Sequence, residues 1–235
     1  MSQDVKVQVG NDTMGLYVTR PEGEARGAVV VLQEAFGVND HIRDLCRRFS
    51  DEGYVAAAPH LFHRSGDPIL GYDDMQAVIP YVMQLTAPDL DADLEATFAH
   101  LAGSGFEGRR VAVVGFCMGG SIALLAASYW KLGAAVSFYG GGITQGRFGM
   151  PPLLDLAPTL QTPWLGLFGD LDASIPIDQV EALRSAAERA APATEIVRYP
   201  DASHGFHCDA RASYHEPSAK EGWQRTLRWL GRHMG

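Results

Sequence analysis

Apolar runs alternate with amphipathic segments along most of the chain, a pattern typical of sheets that are covered by helices on both faces. The segments that predict strands are residues 28–32, 54–58, 111–114, 134–139, 164–168 and 195–199. Helical periodicity occupies most of the intervals between them and continues to the C-terminus. Because strands that alternate with helices pair in parallel, the pattern predicts an α/β fold with a mostly parallel central sheet.

The first twenty residues follow a different pattern. Residues 5–9 and 16–19 alternate apolar and polar side chains, and Gly10-Asn11-Asp12 between them is typical of a turn. We therefore expect an antiparallel hairpin at one edge of the sheet. The chain shows no internal repeat and no linker, and one α/β sheet often reaches this length, so we expect a single domain over residues 1–235.

Two segments between the strands need separate comment. Residues 60–72 have no clear period and include two glycines and a proline, which predicts a loop near the strand ends. A helix that begins at Pro88 carries Asp89, Asp91 and Asp93 at its start. Since a calcium loop would need glycine at its sixth position and glutamate at its twelfth, we interpret these acids as partners of the helix dipole.

The most informative segment is a strand, a turn and a helix over residues 111–127. The turn reads Gly-Phe-Cys-Met-Gly at residues 115–119, which is a nucleophile-elbow pattern with cysteine in place of serine. Its glycines allow a tight turn, because a Cβ there would collide with the neighbouring strand or helix. The helix N-terminus would favour a thiolate at Cys117. The alternative is that Cys117 is simply a buried free cysteine.

Partners for Cys117 follow two later strands. Asp170 and Asp172 come after the strand at 164–168, and His204 comes after the last strand. The order nucleophile, acid, histidine is that of α/β-hydrolases. Cys117 would attack an acyl carbon, His204 would balance the thiolate and protonate the leaving group, and an aspartate would orient the imidazole. The backbone N–H groups of Met118 and Ala35 are the expected oxyanion donors.

Three segments together resemble the dienelactone hydrolase family: residues 33–39 (QEAFGVN), 115–120 (GFCMGG) and 203–206 (SHGF). The resemblance covers nearly the whole chain and implies an α/β-hydrolase fold that cleaves a small ester or lactone. It implies that Asp172, four residues before Pro176, is the acid and that Asp170 shapes the loop. It also implies that Glu34 accepts the thiol proton when substrate arrives. Until then, a nearby carboxylate favours the protonated thiol.

The chain departs from this family at the two arginines that bind the carboxylate of dienelactone. There is no Arg or Lys between Arg64 and Arg109, and Cys208 stands four residues after His204, where the family has the second arginine. Arg211 could replace it only if its loop bends toward the site. These differences argue against dienelactone itself as the substrate. Phe36, Tyr139 and Phe206 are the side chains that we expect to contact the substrate.

Composition narrows the possible partners and compartment. A net charge of −9 argues against binding to nucleic acid or to an anionic membrane, since both require a basic face. No apolar run approaches the length of a membrane span, and the N-terminus lacks the features of a signal peptide. The three cysteines and the scattered histidines show no metal-ligand spacing. We therefore expect a cytoplasmic monomer or small homo-oligomer that uses no metal or cofactor.

A second class of function remains open at this point. Cys117 could be a redox or ligand-binding thiol in a non-hydrolytic protein, with Cys208 as its resolving partner. The alternative for Cys208 is a spare thiol in a loop. Loss of hydrolysis in Cys117→Ala would favour the hydrolase, whereas a reversible Cys117–Cys208 disulfide after mild peroxide treatment would favour the redox protein.

Overall fold

An eight-stranded sheet forms the centre of the computed structural model, which describes all 235 residues. Its spatial order is β1-β2-β4-β3-β5-β6-β7-β8. From β4 to β8 all neighbouring strands are parallel, while β1 pairs antiparallel with β2 and β2 pairs antiparallel with β4. This confirms the mostly parallel sheet and the N-terminal hairpin at its edge. The strands are β1 (Ser2–Val9), β2 (Asp12–Thr19), β3 (Ala28–Leu32), β4 (Val55–Pro59), β5 (Val111–Phe116), β6 (Ala134–Phe138), β7 (Trp164–Gly169) and β8 (Thr194–Tyr199).

Seven helices connect and cover these strands. The first and last helices meet on one face, where the ring centroids of Phe49 and Trp223 lie 4.6 Å apart. None of the helices combines the length and the apolar character that a bilayer-spanning segment needs. The helices are α1 (Asp40–Asp51), α2 (Met75–Val82), α3 (Ala87–Ala102), α4 (Met118–Tyr129), α5 (Leu153–Leu156), α6 (Ile177–Ala187) and α7 (Glu216–His233).

The core is centred on β5 and α4. All six residues of β5 are buried, and so is every residue of α4 except Tyr129. A helix that is apolar on all sides is stable only inside a large core. Packing on several sides of α4 therefore fixes the position of its first residue. Cys46 of α1 is fully buried in the same core, as its position in the helical stripe predicts.

A buried ion-pair cluster anchors the loop at residues 60–72 to α3. Asp93 is fully buried, and its carboxylate lies 2.9 Å from Nη2 of Arg64 and 3.0 Å from Nε2 of His63. The interpretation of Asp93 as a partner of the helix dipole is therefore wrong. Asp93 lies on the inward face of α3, where a carboxylate requires a cation and hydrogen-bond partners, here Arg64 and His63 of the loop. The cluster fixes the base of the loop beside the strand ends.

Candidate active site

Cys117 occupies a strained turn between β5 and α4. Its φ of 53° and ψ of −114° are unusual for a residue with a side chain, and such conformations cost about 1–3 kcal/mol. A Cβ on Gly115 would lie 1.9 Å from the carbonyl oxygen of Gly119, and a Cβ on Gly119 would lie 2.3 Å from that of Leu32. Both glycines are thus required by close backbone contacts. The structure has the strand, turn and helix that the sequence predicts here.

Three predicted residues come together at the carboxyl ends of the parallel strands. Nε2 of His204 lies 3.1 Å from Sγ of Cys117, and Nδ1 of the same ring lies 2.6 Å from Oδ2 of Asp172. Asp172 is buried, whereas Cys117 keeps partial contact with solvent. The imidazole therefore bridges a thiol and a carboxylate, an arrangement that can transfer or stabilise a proton between them.

Ser174 completes the environment of Asp172. Its N–H and its hydroxyl both donate to Oδ1 of Asp172, at 2.9 and 2.6 Å. Burial alone would raise the pKa of Asp172, but the hydrogen bonds from His204 and Ser174 outweigh it and hold that pKa below its usual range. The sequence interpretation did not include Ser174. The signal was available, because an aspartate often binds backbone two residues on.

Asp170, the other candidate acid, has a different partner. Its two carboxylate oxygens accept hydrogen bonds from Arg198 at 2.7 and 2.8 Å. Arg198 belongs to β8, so this pair ties the loop after β7 to the neighbouring strand. In the structure, Asp172 is therefore the aspartate that contacts His204, whereas Asp170 holds the conformation of the loop through Arg198.

The ionisation of His204 follows from its two neighbours. Burial lowers the pKa of this imidazole, but the charge of Cys117 and the hydrogen bond to Asp172 act in the opposite direction and raise the pKa to about 10. At neutral pH the arrangement therefore favours the charged form of the imidazole.

Glu34 lies immediately beyond β3, the strand that pairs with β5, so it shares the strand-end region with Cys117. Its side chain is 1% exposed, and Oε1 accepts a hydrogen bond from Nη1 of Arg211 at 3.1 Å. Oε2 is buried and has no partner. Burial raises the pKa of Glu34, while Arg211 and His204 lower it to a smaller extent. A buried carboxylate with a raised pKa and one free oxygen is well suited to accept a proton.

Arg211 reaches the site because the segment after His204 bends toward it. Gly205 has a φ of +80°, and a Cβ at this position would lie 2.4 Å from Nη1 of Arg211. The guanidinium carbon lies 5.6 Å from the ring centroid of Phe36 and 5.7 Å from that of Tyr72, which adds cation–π attraction. The segment after His204 therefore bends as the sequence analysis required, and Arg211 reaches the site.

Two backbone N–H groups near Cys117 are free to bind a ligand. Those of Met118 and Ala35 make no hydrogen bond within the protein, whereas the next one along, that of Gly119, donates to the carbonyl of Gln33 at 3.1 Å. Met118 is the first residue of α4, where N–H groups lack intrahelical partners. These two groups are the ones that the sequence predicts as oxyanion donors.

The three aromatic residues expected to contact the substrate have different surroundings. Phe36 packs against Tyr72, with ring centroids 4.6 Å apart. Tyr139 faces His204 at 5.1 Å, and its hydroxyl is buried without a partner. Phe206 is fully buried and packs against Tyr139 at 5.3 Å. Phe36 and Tyr139 are buried to the same extent, so burial does not distinguish the three side chains.

Cys208 is fully buried beside the site. Burial raises the pKa of its thiol to about 11, so the thiol stays protonated at neutral pH. Since a thiolate is the form that takes part in disulfide exchange, this environment disfavours a resolving role for Cys208.

Comparison with known proteins agrees with this architecture. The model of the dienelactone hydrolase family matches residues 14–234. A protein from Salmonella typhimurium that is provisionally named carboxymethylenebutenolidase is 42% identical over 232 residues, which cover 95% of this chain and 84% of the relative. The crystal structure of a provisionally named dienelactone hydrolase from Klebsiella pneumoniae is 41% identical, with a TM-score of 0.91 over 99% of this chain and 98% of that one.

More distant structures share only the fold. A dienelactone hydrolase-like promiscuous phosphotriesterase from metagenomic libraries is 22% identical, with a TM-score of 0.84 over 100% of this chain and 99% of the other. The α/β-hydrolase fold, the family match over most of the chain and the relatives above 40% identity lead to one conclusion. The chain belongs to the dienelactone hydrolase family and is a hydrolase of ester or lactone bonds.

Proposed function

We propose that this enzyme cleaves a small ester or lactone through an acyl-enzyme formed at Cys117, with His204 and Asp172 as its partners. The observation that carries the proposal is the continuous contact from Sγ of Cys117 through the imidazole to the carboxylate, at 3.1 and 2.6 Å. The relatives named carboxymethylenebutenolidase support a lactone or ester as the bond that is cleaved.

In the first half of the reaction, the thiolate of Cys117 attacks the carbonyl carbon of the substrate. The negative charge that develops on the carbonyl oxygen is stabilised by the N–H groups of Met118 and Ala35. As the tetrahedral intermediate collapses, the bond to the alkoxy oxygen breaks, and the imidazolium of His204 gives its proton to that oxygen. In a lactone the leaving alcohol remains part of the same molecule.

In the second half, water hydrolyses the thioester. The neutral imidazole accepts a proton from the water, whose oxygen attacks the acyl carbon, and the carbon–sulfur bond then breaks to release the acid. Asp172 holds the imidazole in one orientation throughout and stabilises its charged form. Because Ser174 occupies Oδ1, the carboxylate presents Oδ2 to His204.

Glu34 and Arg211 give the site a way to respond to substrate. In the free enzyme the carboxylate is held by the guanidinium, and its negative charge favours the protonated form of the nearby thiol. A substrate that interacts with Arg211 would weaken the Arg211–Glu34 pair. The buried carboxylate then takes the proton of Cys117 and returns it to the thiolate after the acid has been released. Arg211 therefore favours substrates that carry an electronegative or anionic group.

The role of Glu34 can be measured without substrate. We expect Glu34→Gln to increase the rate at which iodoacetamide alkylates Cys117 several-fold at pH 7, because loss of the carboxylate charge favours the thiolate. Labelling would report on Cys117, since Cys46 and Cys208 are both buried. The matched control is Glu195→Gln, which removes a surface carboxylate paired with Arg225. Identical labelling rates in wild type and Glu34→Gln would contradict the proposed gate.

The acyl-enzyme itself can be trapped. After rapid mixing with an activated aryl acetate and acid quenching, we expect the tryptic peptide that contains Cys117 to carry an acetyl group, since the thioester forms before water attacks it. Replacement of His204 by Ala should let any adduct that forms persist longer, because deacylation loses its base. An acetyl group found on another residue, or none in the wild-type protein during turnover, would reject the mechanism.

The substrate class requires a direct comparison of rates. Small aryl esters, dienelactone, larger lactones and thioesters should be compared in the same buffer, each with and without an anionic substituent. Because the site holds one arginine, an anionic substituent should lower KM in the wild type and lose this effect in Arg211→Gln. Equal KM values for charged and neutral members of each pair would show that Arg211 does not take part in recognition.

A further inference from the structure

A second group of side chains with metal-binding chemistry lies next to the catalytic residues but is not part of them. It consists of His41, in the first turn of α1, and Cys208 and Asp209, in the segment that follows His204. One ligating atom from each residue lies within 4.8 Å of the other two. The group joins two parts of the chain that are 167 positions apart, so the spacing of cysteines and histidines along the sequence does not show it.

His41 is buried without a hydrogen bond. Its side chain is 5% exposed, Nε2 has no partner, and Nδ1 lies 3.8 Å from Oδ1 of Asp209, which exceeds hydrogen-bond distance. Buried imidazoles normally have a donor or acceptor partner. One nitrogen of this ring is among the three ligand atoms that lie within 4.8 Å of one another. A neutral imidazole is the form that binds a metal ion.

The other two residues supply complementary ligands. Cys208 is fully buried and offers sulfur, while the side chain of Asp209 is 78% exposed and offers an oxygen at the surface. One nitrogen, one sulfur and one oxygen are typical ligands of zinc. With bonds of about 2.0–2.3 Å, a tetrahedral ion holds its ligand atoms roughly 3.3–3.8 Å apart. The observed separations are at most 4.8 Å and need to shorten by up to about 1.5 Å, and the exposed side chain of Asp209 is free to move.

We propose that His41, Cys208 and Asp209 bind Zn²⁺, with water at the fourth position. Binding forms a sulfur–zinc bond, and the thiol proton of Cys208 passes to the solvent. Zinc affinity therefore rises with pH. The bound ion ties the first turn of α1 to the segment that carries Arg211. This site is separate from the catalytic centre, because it uses neither Cys117 nor His204.

The site can be tested with Co²⁺ as a spectroscopic probe on the full-length protein. Titration of metal-free protein should produce a thiolate-to-cobalt charge-transfer band and the strong visible bands of four-coordinate Co²⁺, and added Zn²⁺ should remove them. Cys208→Ser should abolish the charge-transfer band. Asp209→Asn, a substitution at the surface, should retain the fold and weaken Co²⁺ binding at least about tenfold.

Two matched variants separate this site from other thiols. Cys117→Ser removes the thiol of the active site and Cys46→Ala removes one from the core, and both should keep the cobalt spectrum. A spectrum that disappears in Cys117→Ser would place the metal in the active site and overturn the proposal. So would the absence of a charge-transfer band in the wild type, or its persistence in Cys208→Ser.

Thermal unfolding gives an independent measurement. Because Zn²⁺ would bind the folded state, it should raise the Tm of the wild type and of Cys117→Ser, but not that of Asp209→Asn or His41→Ala. An equal rise in all four proteins would mean that zinc binds elsewhere. The Cys117→Ser result also keeps this test independent of the hydrolytic mechanism, since that variant cannot use the cysteine nucleophile.

Discussion

Replacement of Cys117 by alanine is expected to reduce kcat/KM for an activated ester by roughly four to six orders of magnitude, the loss typical when a covalent nucleophile is removed. The fold should survive, because the change removes one sulfur atom from a partly exposed side chain and leaves the glycines of the turn in place. Steady-state kinetics measures the loss, and the Tm of the variant measures the fold. Unchanged turnover would reject Cys117 as the nucleophile.

The same variant makes a second, independent measurement possible. The charge of Cys117 is the largest of the influences that raise the pKa of His204 to about 10. Alanine removes that charge, so the pKa of His204 should fall toward the ordinary value of a histidine, which NMR titration of the ring can follow. An equal pKa in both proteins would mean that Cys117 does not influence the ionisation of the imidazole.

Two further variants serve as controls. Cys46→Ala removes a cysteine that lies wholly in the core and should leave kcat/KM close to that of the wild type. Cys117→Ser should lose most of the activity, because an alcohol needs stronger base assistance than a thiol. A fully active serine variant would show that His204 alone is a sufficient base.

The second large effect concerns Asp93, which is not one of the candidate active-site residues. We expect Asp93→Ala to lower the free energy of unfolding by about 3 kcal/mol, because it leaves the guanidinium of Arg64 and the buried imidazole of His63 without their carboxylate partner. Denaturant titration measures this loss. Since Arg64 is 26% exposed, water can compensate part of it, which places the expected value at the lower end for buried pairs.

Asp91 provides the matched control for Asp93, because it lies on the same helix two residues away and has no ion-pair partner. Asp91→Ala should change stability by about 1 kcal/mol or less. If these acids acted only through the helix dipole, the two substitutions would have similar effects. Equal losses in the two variants would therefore contradict the anchoring role of Asp93.

The elements of the fold could be predicted from the sequence because each depends on local pattern. The strand at Ala28–Leu32 has the same limits in sequence and structure, and Asn39, a residue type typical of helix N-caps, accepts a hydrogen bond from the N–H of Ile42. The nucleophile elbow could be predicted for a similar reason, since backbone crowding at Gly115 and Gly119 is a local property of a strand–turn–helix unit.

Contacts between distant parts of the chain could not be predicted in this way. The Arg211–Glu34 pair joins residues separated by 177 positions, and the Arg64–Asp93 pair joins residues separated by 29. Both contacts depend on the conformation of a loop, and the periodicity of apolar residues does not predict loop conformation. The helix-dipole interpretation of Asp93 was wrong for the same reason. The helical pattern predicts α3, but it does not show that the loop brings Arg64 and His63 into contact with Asp93.

Gly205 has a consequence for how the specificity of this enzyme could change. Any side chain at this position would occupy the space that the guanidinium of Arg211 now fills. A single mutation of Gly205 would thus displace the arginine while leaving the cysteine, the histidine and the aspartate in the sequence unaltered. If Arg211 recognises an anionic group as proposed, such a mutation would remove that preference without any change to the catalytic residues.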